Sequence, residues 1–172
     1  KTQMRSLHMS ALQSAMNELS NHDHSRFLTR TNHKVGRISY AGAEAASEGV
    51  NPAVMREAVA IQMTWPGAPT VYYGDEAGLC GFTDPDNRRT YPWGREDYQM
   101  IDFHREMIRI HKNYEVLKTG SLGFLWNDYQ GLCYARFSRK EQMIVIINNQ
   151  AESRDVEIQL WQAGISRLAD TK

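Results

Sequence analysis

Hydrophobic and polar positions change rhythm along this chain, and the changes predict its elements. Residues 2–14 place Met4, Leu7, His8, Ala11 and Leu12 near helical spacing, which predicts a helix or a helix end. Residues 15–20 fit two readings: a continuation of that helix, or a short strand delivering Asn21, His22 and Asp23 at its end. Residues 31–51 are polar and carry Gly36, Gly42 and Gly49, the pattern of a loop. Asn51 then Pro52 is a strong helix start, Asn as cap and Pro at the first helical position. Val54, Met55, Ala58, Val59 and Gln62 give that helix a buried face, and Trp65-Pro66-Gly67 ends it. Thr70-Val71-Tyr72-Tyr73 is β-rich between Pro69 and Gly74, which predicts a short buried strand.

Residues 74–96 form a long loop rich in Gly, Asp, Arg and Pro. Loops above about 12–15 residues are usually functional or disordered. Phe82, Tyr91 and Trp93 argue for an ordered one. Asp97 opens a second helix reaching about Lys112, with Ile101, His104, Met107, Ile108 and His111 on one face. After Asn113 the period shortens. Gly120, Gly123 and Gly131 separate β-rich runs, and Leu132–Phe137 reads as a strand. Met143–Ile147 is apolar throughout, as in a strand covered on both faces. Arg154–Trp161 alternates, with Val156, Ile158 and Leu160 opposite Glu157 and Gln159, as in a strand with one wet face.

Composition narrows the function classes. The chain has 172 residues, enough for one domain or one domain plus a small module. Its 20 basic and 20 acidic residues balance to zero, so it carries neither a nucleic-acid footprint nor a polybasic membrane patch. A hydrophobic share of 41% is too high for a disordered chain, and no apolar run approaches the roughly 20 residues of a bilayer span. Cys80 and Cys133 form no zinc pattern or disulfide framework. Two reduced thiols suit an intracellular protein, so the expected compartment is the cytoplasm. The chain starts at Lys1 without a Met or a signal-peptide pattern and reads as a cut start.

Candidate chemistry concentrates in Leu19-Ser20-Asn21-His22-Asp23-His24-Ser25-Arg26-Phe27-Leu28. This run sets a carboxylate beside a histidine, with an arginine three residues on. Taken alone, it is also good turn chemistry, and Asp23 could simply cap a helix. A second run follows at Pro66-Gly67-Ala68-Pro69-Thr70-Val71-Tyr72-Tyr73-Gly74-Asp75-Glu76-Ala77-Gly78. In this order the two runs resemble the C-terminal part of the α-amylase family of glycoside hydrolases, and in particular its neopullulanase, cyclomaltodextrinase and α-glycosidase members. The resemblance covers residues 15–112 most strongly.

The resemblance implies an α/β fold. Residues 1–112 would be the C-terminal part of a TIM (β/α)8 barrel, and residues 113–172 an antiparallel β-sheet (β-sandwich) module, both incomplete. It favours a strand at residues 15–20 and makes Asp23 the carboxylate that stabilises an oxocarbenium-like transition state, with His22 holding sugar hydroxyls. Asp84-Pro85-Asp86-Asn87-Arg88-Arg89 matches a run that contacts a glucose unit on the non-reducing side of the cut, which assigns substrate binding to Asp84 and Arg88. The plain alternative for that pair is a surface turn held by an ordinary ion pair.

Arg26 at its spacing binds chloride in some relatives but reads here as a structural partner for an acidic neighbour. Asp75 and Glu76 read as structural. Tyr91, Trp93 and Tyr73 could stack on sugars, with core packing expected for Tyr73. His104 and His111 read as packing residues, and His8, His24 and His33 lack convergent partners. No metal or cofactor is expected. The expected partners are an α-glucan or maltooligosaccharide and the rest of the barrel, with a homo-oligomer as one option; nucleic acid and membrane are not expected. The family's nucleophilic aspartate and acid/base glutamate match no run in the chain and would precede residue 1. The expected function is thus part of a retaining glycosidase for short α-glucans. The alternative is a non-catalytic carbohydrate-binding or scaffold fragment of the same fold.

Overall fold

The computed structural model of the protein describes residues 8–163. In chain order its elements are helix α1 (Met9–Gln13), strand β1 (Met16–Glu18), helices α2 (Phe27–Arg30), α3 (Ile38–Ala41) and α4 (Pro52–Thr64), strand β2 (Ala68–Thr70), helices α5 (Tyr98–Asn113) and α6 (Glu115–Thr119), and strands β3 (Ser121–Asn127), β4 (Gly131–Phe137) and β5 (Gln142–Asn148). Short 3-10 turns lie at Glu44–Ala46, Asp86–Arg88 and Leu160–Ala163. These residues form two compact units. One comprises residues 16–63 and 68–110, and the other gathers the remaining described residues.

In the first unit β1 and β2 pair in parallel, with Met16 opposite Ala68 and Glu18 opposite Thr70. Parallel strands need a long crossover, which here contains α2, α3 and α4. Asn51 caps α4 as its sequence predicts: its Oδ1 accepts from the Ala53 and Val54 amides at 3.0 and 3.3 Å. Asp97 does the same for α5, accepting from the Met100 amide at 3.0 Å. Met55, Val59 and Met63 of α4 join Met100 and Met107 of α5, with Leu28, Cys80 and Phe82, in one apolar core. The spacings of four, four and seven put each set on one helix face. His104 is buried on that face of α5, and its Nδ1 lies 2.9 Å from the Met100 carbonyl. It is a packing residue, as expected.

The second unit centres on an antiparallel sheet in the order β3-β4-β5. Middle strand β4 buries Cys133, Tyr134, Ala135 and Arg136. The Arg136 guanidinium donates to the Thr64 carbonyl at 2.7 Å and the Gly120 carbonyl at 2.9 Å. Trp65 meets Phe124 and Tyr134 with ring centroids 5.7 and 5.3 Å apart.

Several expectations need correction. The strand predicted at Thr70–Tyr73 lies at Ala68–Thr70, and Val71 and Tyr73 are exposed. The Tyr72 carbonyl accepts from the Asp75 amide in a turn, and the Tyr73 carbonyl from Arg26, so neither serves a ladder. The loop expected at residues 31–51 contains α3 and a 3-10 turn. Gly42, at φ 79°, ends α3 in a backbone geometry that favours glycine.

Met143–Ile147 is a strand, but Ile146 is 51% exposed, because the buried middle position belongs to β4. Arg154–Gln159 forms no strand. The expected alternation survives as alternating exposure, while Arg154 bonds Asp128 and Gln130 at 3.1 and 2.6 Å. The described sheet has three strands, and no second facing layer lies among the described residues. Residues 2–7 of the predicted first helix lie outside the described residues, within which the helix is Met9–Gln13.

Candidate active site

Strand β1 ends at Glu18, and the chain then turns through Ser20–Ser25 without regular structure. Such a segment must find partners for its backbone groups elsewhere. Two of its N–H groups are served locally. Asn21 folds into an Asx turn, its Oδ1 accepting from the Asp23 and His24 amides at 2.9 and 3.2 Å. Its Nδ2 donates to Glu18 at 2.7 Å. Buried Ser20 accepts from the Phe27 amide at 2.9 Å, fixing the entry to α2.

The carbonyls are served from residues 83–88, some 60 to 66 positions later. Asn87 Nδ2 donates to the Asn21 and His24 carbonyls at 3.2 and 2.9 Å. Arg88 Nη2 donates to the His22 carbonyl at 3.3 Å, and Thr83 Oγ1 to the Asp23 carbonyl at 2.9 Å. The four successive carbonyls from Asn21 to His24 are thus all engaged. Gly81 permits the approach, since a Cβ there would sit 2.5 Å from the Asp86 carbonyl oxygen. Buried Asp86 staples the turn, accepting from the Phe82 amide at 2.8 Å and from Arg89 through both carboxylate oxygens, each at 2.8 Å.

This arrangement leaves the side chains of His22 and Asp23 outward, 61% and 68% exposed, with His22 Nε2 3.5 Å from Asp23 Oδ1. Asp84 and Arg88 pair beside them. The Asp84 carboxylate bonded to Arg88 holds its guanidinium above the usual arginine range, and the charges of Tyr72 and Asp23 act in the same direction. The structure therefore brings His22, Asp23, Asp84 and Arg88 together in the first unit. One outward carboxylate beside an arginine-carboxylate fork can stabilise a nearby positive charge and bond vicinal hydroxyls.

A buried scaffold lies behind it. Arg26 is fully buried, 2.9 Å from Asp75, and donates to the carbonyls of Tyr73 at 2.8 Å and Asn87 at 2.9 Å. Its guanidinium sits 4.5 and 4.9 Å from the ring centres of Tyr72 and Tyr73. Burial pushes the Asp75 carboxyl up, against the opposing bonds from Ser20 and Arg26. Arg26 and Asp75 thus have the structural role read from the sequence.

Tyr73 differs from expectation: it is exposed, and its hydroxyl donates to the Arg89 carbonyl at 2.8 Å. Tyr91 and Trp93 pack against each other with ring centroids 4.5 Å apart and planes tilted by 47°, and Trp93 is 79% exposed. The bonds of Thr83 and Asn87 to this backbone have no counterpart in the local sequence pattern. The only signal of the two residues there is membership of a polar run inside an ordered loop. Among the described residues, no cluster of three or more His, Cys, Asp or Glu could hold a metal ion, and no helix is long and apolar enough to cross a membrane.

The chain is 33% identical over 163 residues to an amylopullulanase of Thermoanaerobacter thermohydrosulfuricus, a match covering 84% of this chain and 10% of that protein. It is 34% identical over 158 residues to neopullulanase 2 of Thermoactinomyces vulgaris, covering 90% of this chain and 24% of the relative. The acarbose-soaked debranching enzyme of Nostoc punctiforme superposes with a TM-score of 0.77 at 25% identity, over 99% of this chain and 31% of that one. The chain therefore spans less than a third of each of these proteins. The family model described as alpha amylase, catalytic domain, matches residues 1–162, which places the chain in the α-amylase catalytic-domain family.

Proposed function

We propose that this chain supplies part of the active site of a retaining glycosidase that cleaves α-glucosidic bonds in short α-glucans. The observation that carries the reading is the convergence of His22 and Asp23 with Asp84 and Arg88 from a segment more than sixty residues away. Asp23 faces the oxocarbenium-like carbon and stabilises its positive charge as the bond breaks. His22 bonds hydroxyls of the same sugar. The Arg88 fork and Asp84 hold the hydroxyls of a glucose unit on the non-reducing side.

The bond-breaking pair is assigned to other segments of the enzyme. A retaining mechanism needs two carboxyls about 5–5.5 Å apart across the scissile bond. Asp75 is buried against Arg26 and cannot be one of them. On this reading β1 and β2 are neighbouring portions of an eight-stranded barrel, whose strand ends carry the chemistry. The β3–β5 sheet is then part of a C-terminal β-sandwich. Similarity to an amylopullulanase and a neopullulanase supports α-glucans as the substrate class.

A structure of the complete enzyme with bound maltotriose tests the reading. Sugar hydroxyls within hydrogen-bond distance of Asp84 and Arg88, with a ring facing Asp23, are expected. A fully occupied oligosaccharide held away from all three residues would overturn it.

A further inference from the structure

We propose that Thr83 and Asn87 are positioning residues that fix the backbone on which Asp23 is presented, so that their loss lowers turnover while leaving substrate binding intact. The proposal rests on the reading of Asp23 as the charge-stabilising carboxylate. An exposed polar loop ordinarily leaves its carbonyls to water and stays mobile. The segment Asn21–His24 does not. Its carbonyls take bonds from Asn87 at 3.2 and 2.9 Å, from Arg88 at 3.3 Å and from Thr83 at 2.9 Å. The Asp23 and His24 amides are held by Asn21. Asp23 is therefore anchored at both its N–H and its C=O, and only its side-chain torsions remain to be set by a ligand.

Asn87 is built for this task. Its side chain is fully buried, and its amide nitrogen reaches two carbonyls that flank the His22-Asp23 pair. Its own carbonyl accepts from Arg26 Nε at 2.9 Å, and the Arg26 amide donates to the Gly81 carbonyl at 2.9 Å. Asn87 is thus held through its carbonyl by Arg26 while its Nδ2 holds the Asn21 and His24 carbonyls, which ties the loop to a buried anchor. Neither Thr83 nor Asn87 offers sugar the group it spends on the backbone, which separates them from Asp84 and Arg88.

The test is steady-state kinetics of the complete enzyme on maltotriose, with thermal unfolding measured in parallel, for Thr83→Val, Thr83→Ser, Asn87→Asp and Asp23→Asn. Thr83→Val removes one hydroxyl at a half-buried site, and Asn87→Asp removes the donor at near-constant shape. Each is expected to lower kcat about tenfold to a hundredfold at little-changed KM, the scale of a displacement of about 1 Å at the reacting centre. Thr83→Ser keeps the hydroxyl and should restore kcat. A merely structural role would move Tm and the active fraction without this kcat-selective loss and without rescue by serine. If Asn87→Asp does not fold, the valine-serine pair decides. Wild-type kcat in Thr83→Val beside an inactive Asp23→Asn would overturn the positioning role alone. Wild-type kcat in Asp23→Asn would overturn the reading of Asp23 on which it rests.

Discussion

Replacing Arg26 with methionine should be the most destabilising single change in the first unit. The substitution keeps an unbranched side chain but deletes the guanidinium, and with it the 2.9 Å ion pair to Asp75 and the bonds to the Tyr73 and Asn87 carbonyls. Breaking a buried pair by removing one partner costs about 3–5 kcal/mol, because the remaining charge is stranded. Against a total domain stability of about 5–15 kcal/mol this is a large share.

The loss depends on pH, and its sign follows from Asp75. Burial already raises this carboxyl in the folded protein, and Arg26 opposes the rise. Without Arg26 the folded carboxyl goes higher still. A folded pKa above the unfolded one contributes stability that is present below the unfolded value and lost as pH rises through the folded value. The deficit of Arg26→Met should therefore be smallest near pH 4 and grow toward neutrality, with each unit of extra shift worth about 1.4 kcal/mol. Urea unfolding at several pH values measures this, and Arg26→Met/Asp75→Leu should recover most of the loss. A single variant within about 1 kcal/mol of wild type at neutral pH, below the range for a stranded charge, would show that Asp75 is not left uncompensated. So would a deficit that shrinks as pH rises.

Three further outcomes are expected. Arg88→Ala should weaken use of short maltooligosaccharides by about 1.5–3 kcal/mol, the worth of charge-assisted bonds, read as the ratio of kcat/KM values. Asn51→Ala should cost about 1 kcal/mol in denaturant unfolding, through loss of the α4 cap. Burial pushes the Tyr134 phenol up to about 12, with its hydroxyl 2.5 Å from Thr64 Oγ1. Its neutral form thus contributes stability below the ordinary tyrosine value of 10.0, lost as pH rises toward about 12. An absorbance titration should show a late ionising step that is missing in Tyr134→Phe.

What could be read from the sequence was whatever depends on neighbours along the chain. Asn51-Pro52 and Asp97 announced the two long helices because capping is a local bond. The faces built on Met55 and Val59, and on His104 and Met107, followed from the helical period. What failed depended on neighbours in space. Arg154–Trp161 alternates in exposure as predicted, yet alternation cannot supply a ladder partner. Thr70–Tyr73 has strand propensity, but its last carbonyls are committed to a turn and to Arg26. The site divides in the same way. The motif resemblance singled out His22, Asp23, Asp84 and Arg88. The bonds by which Thr83, Asn87 and Arg88 hold the Asn21–His24 backbone span 60 to 66 residues and leave no local signature.

We propose above that the Asp23 carboxylate stabilises charge as a glycosidic bond breaks. Turnover of Asp23→Asn in the complete enzyme tests it most directly, since the change is isosteric and its backbone anchors stay in place. The expected kcat on maltotriose is lower by at least about a hundredfold, the scale of losing one preorganised electrostatic stabiliser, with folding intact. A well-folded Asp23→Asn enzyme that turns over at the wild-type rate would contradict it.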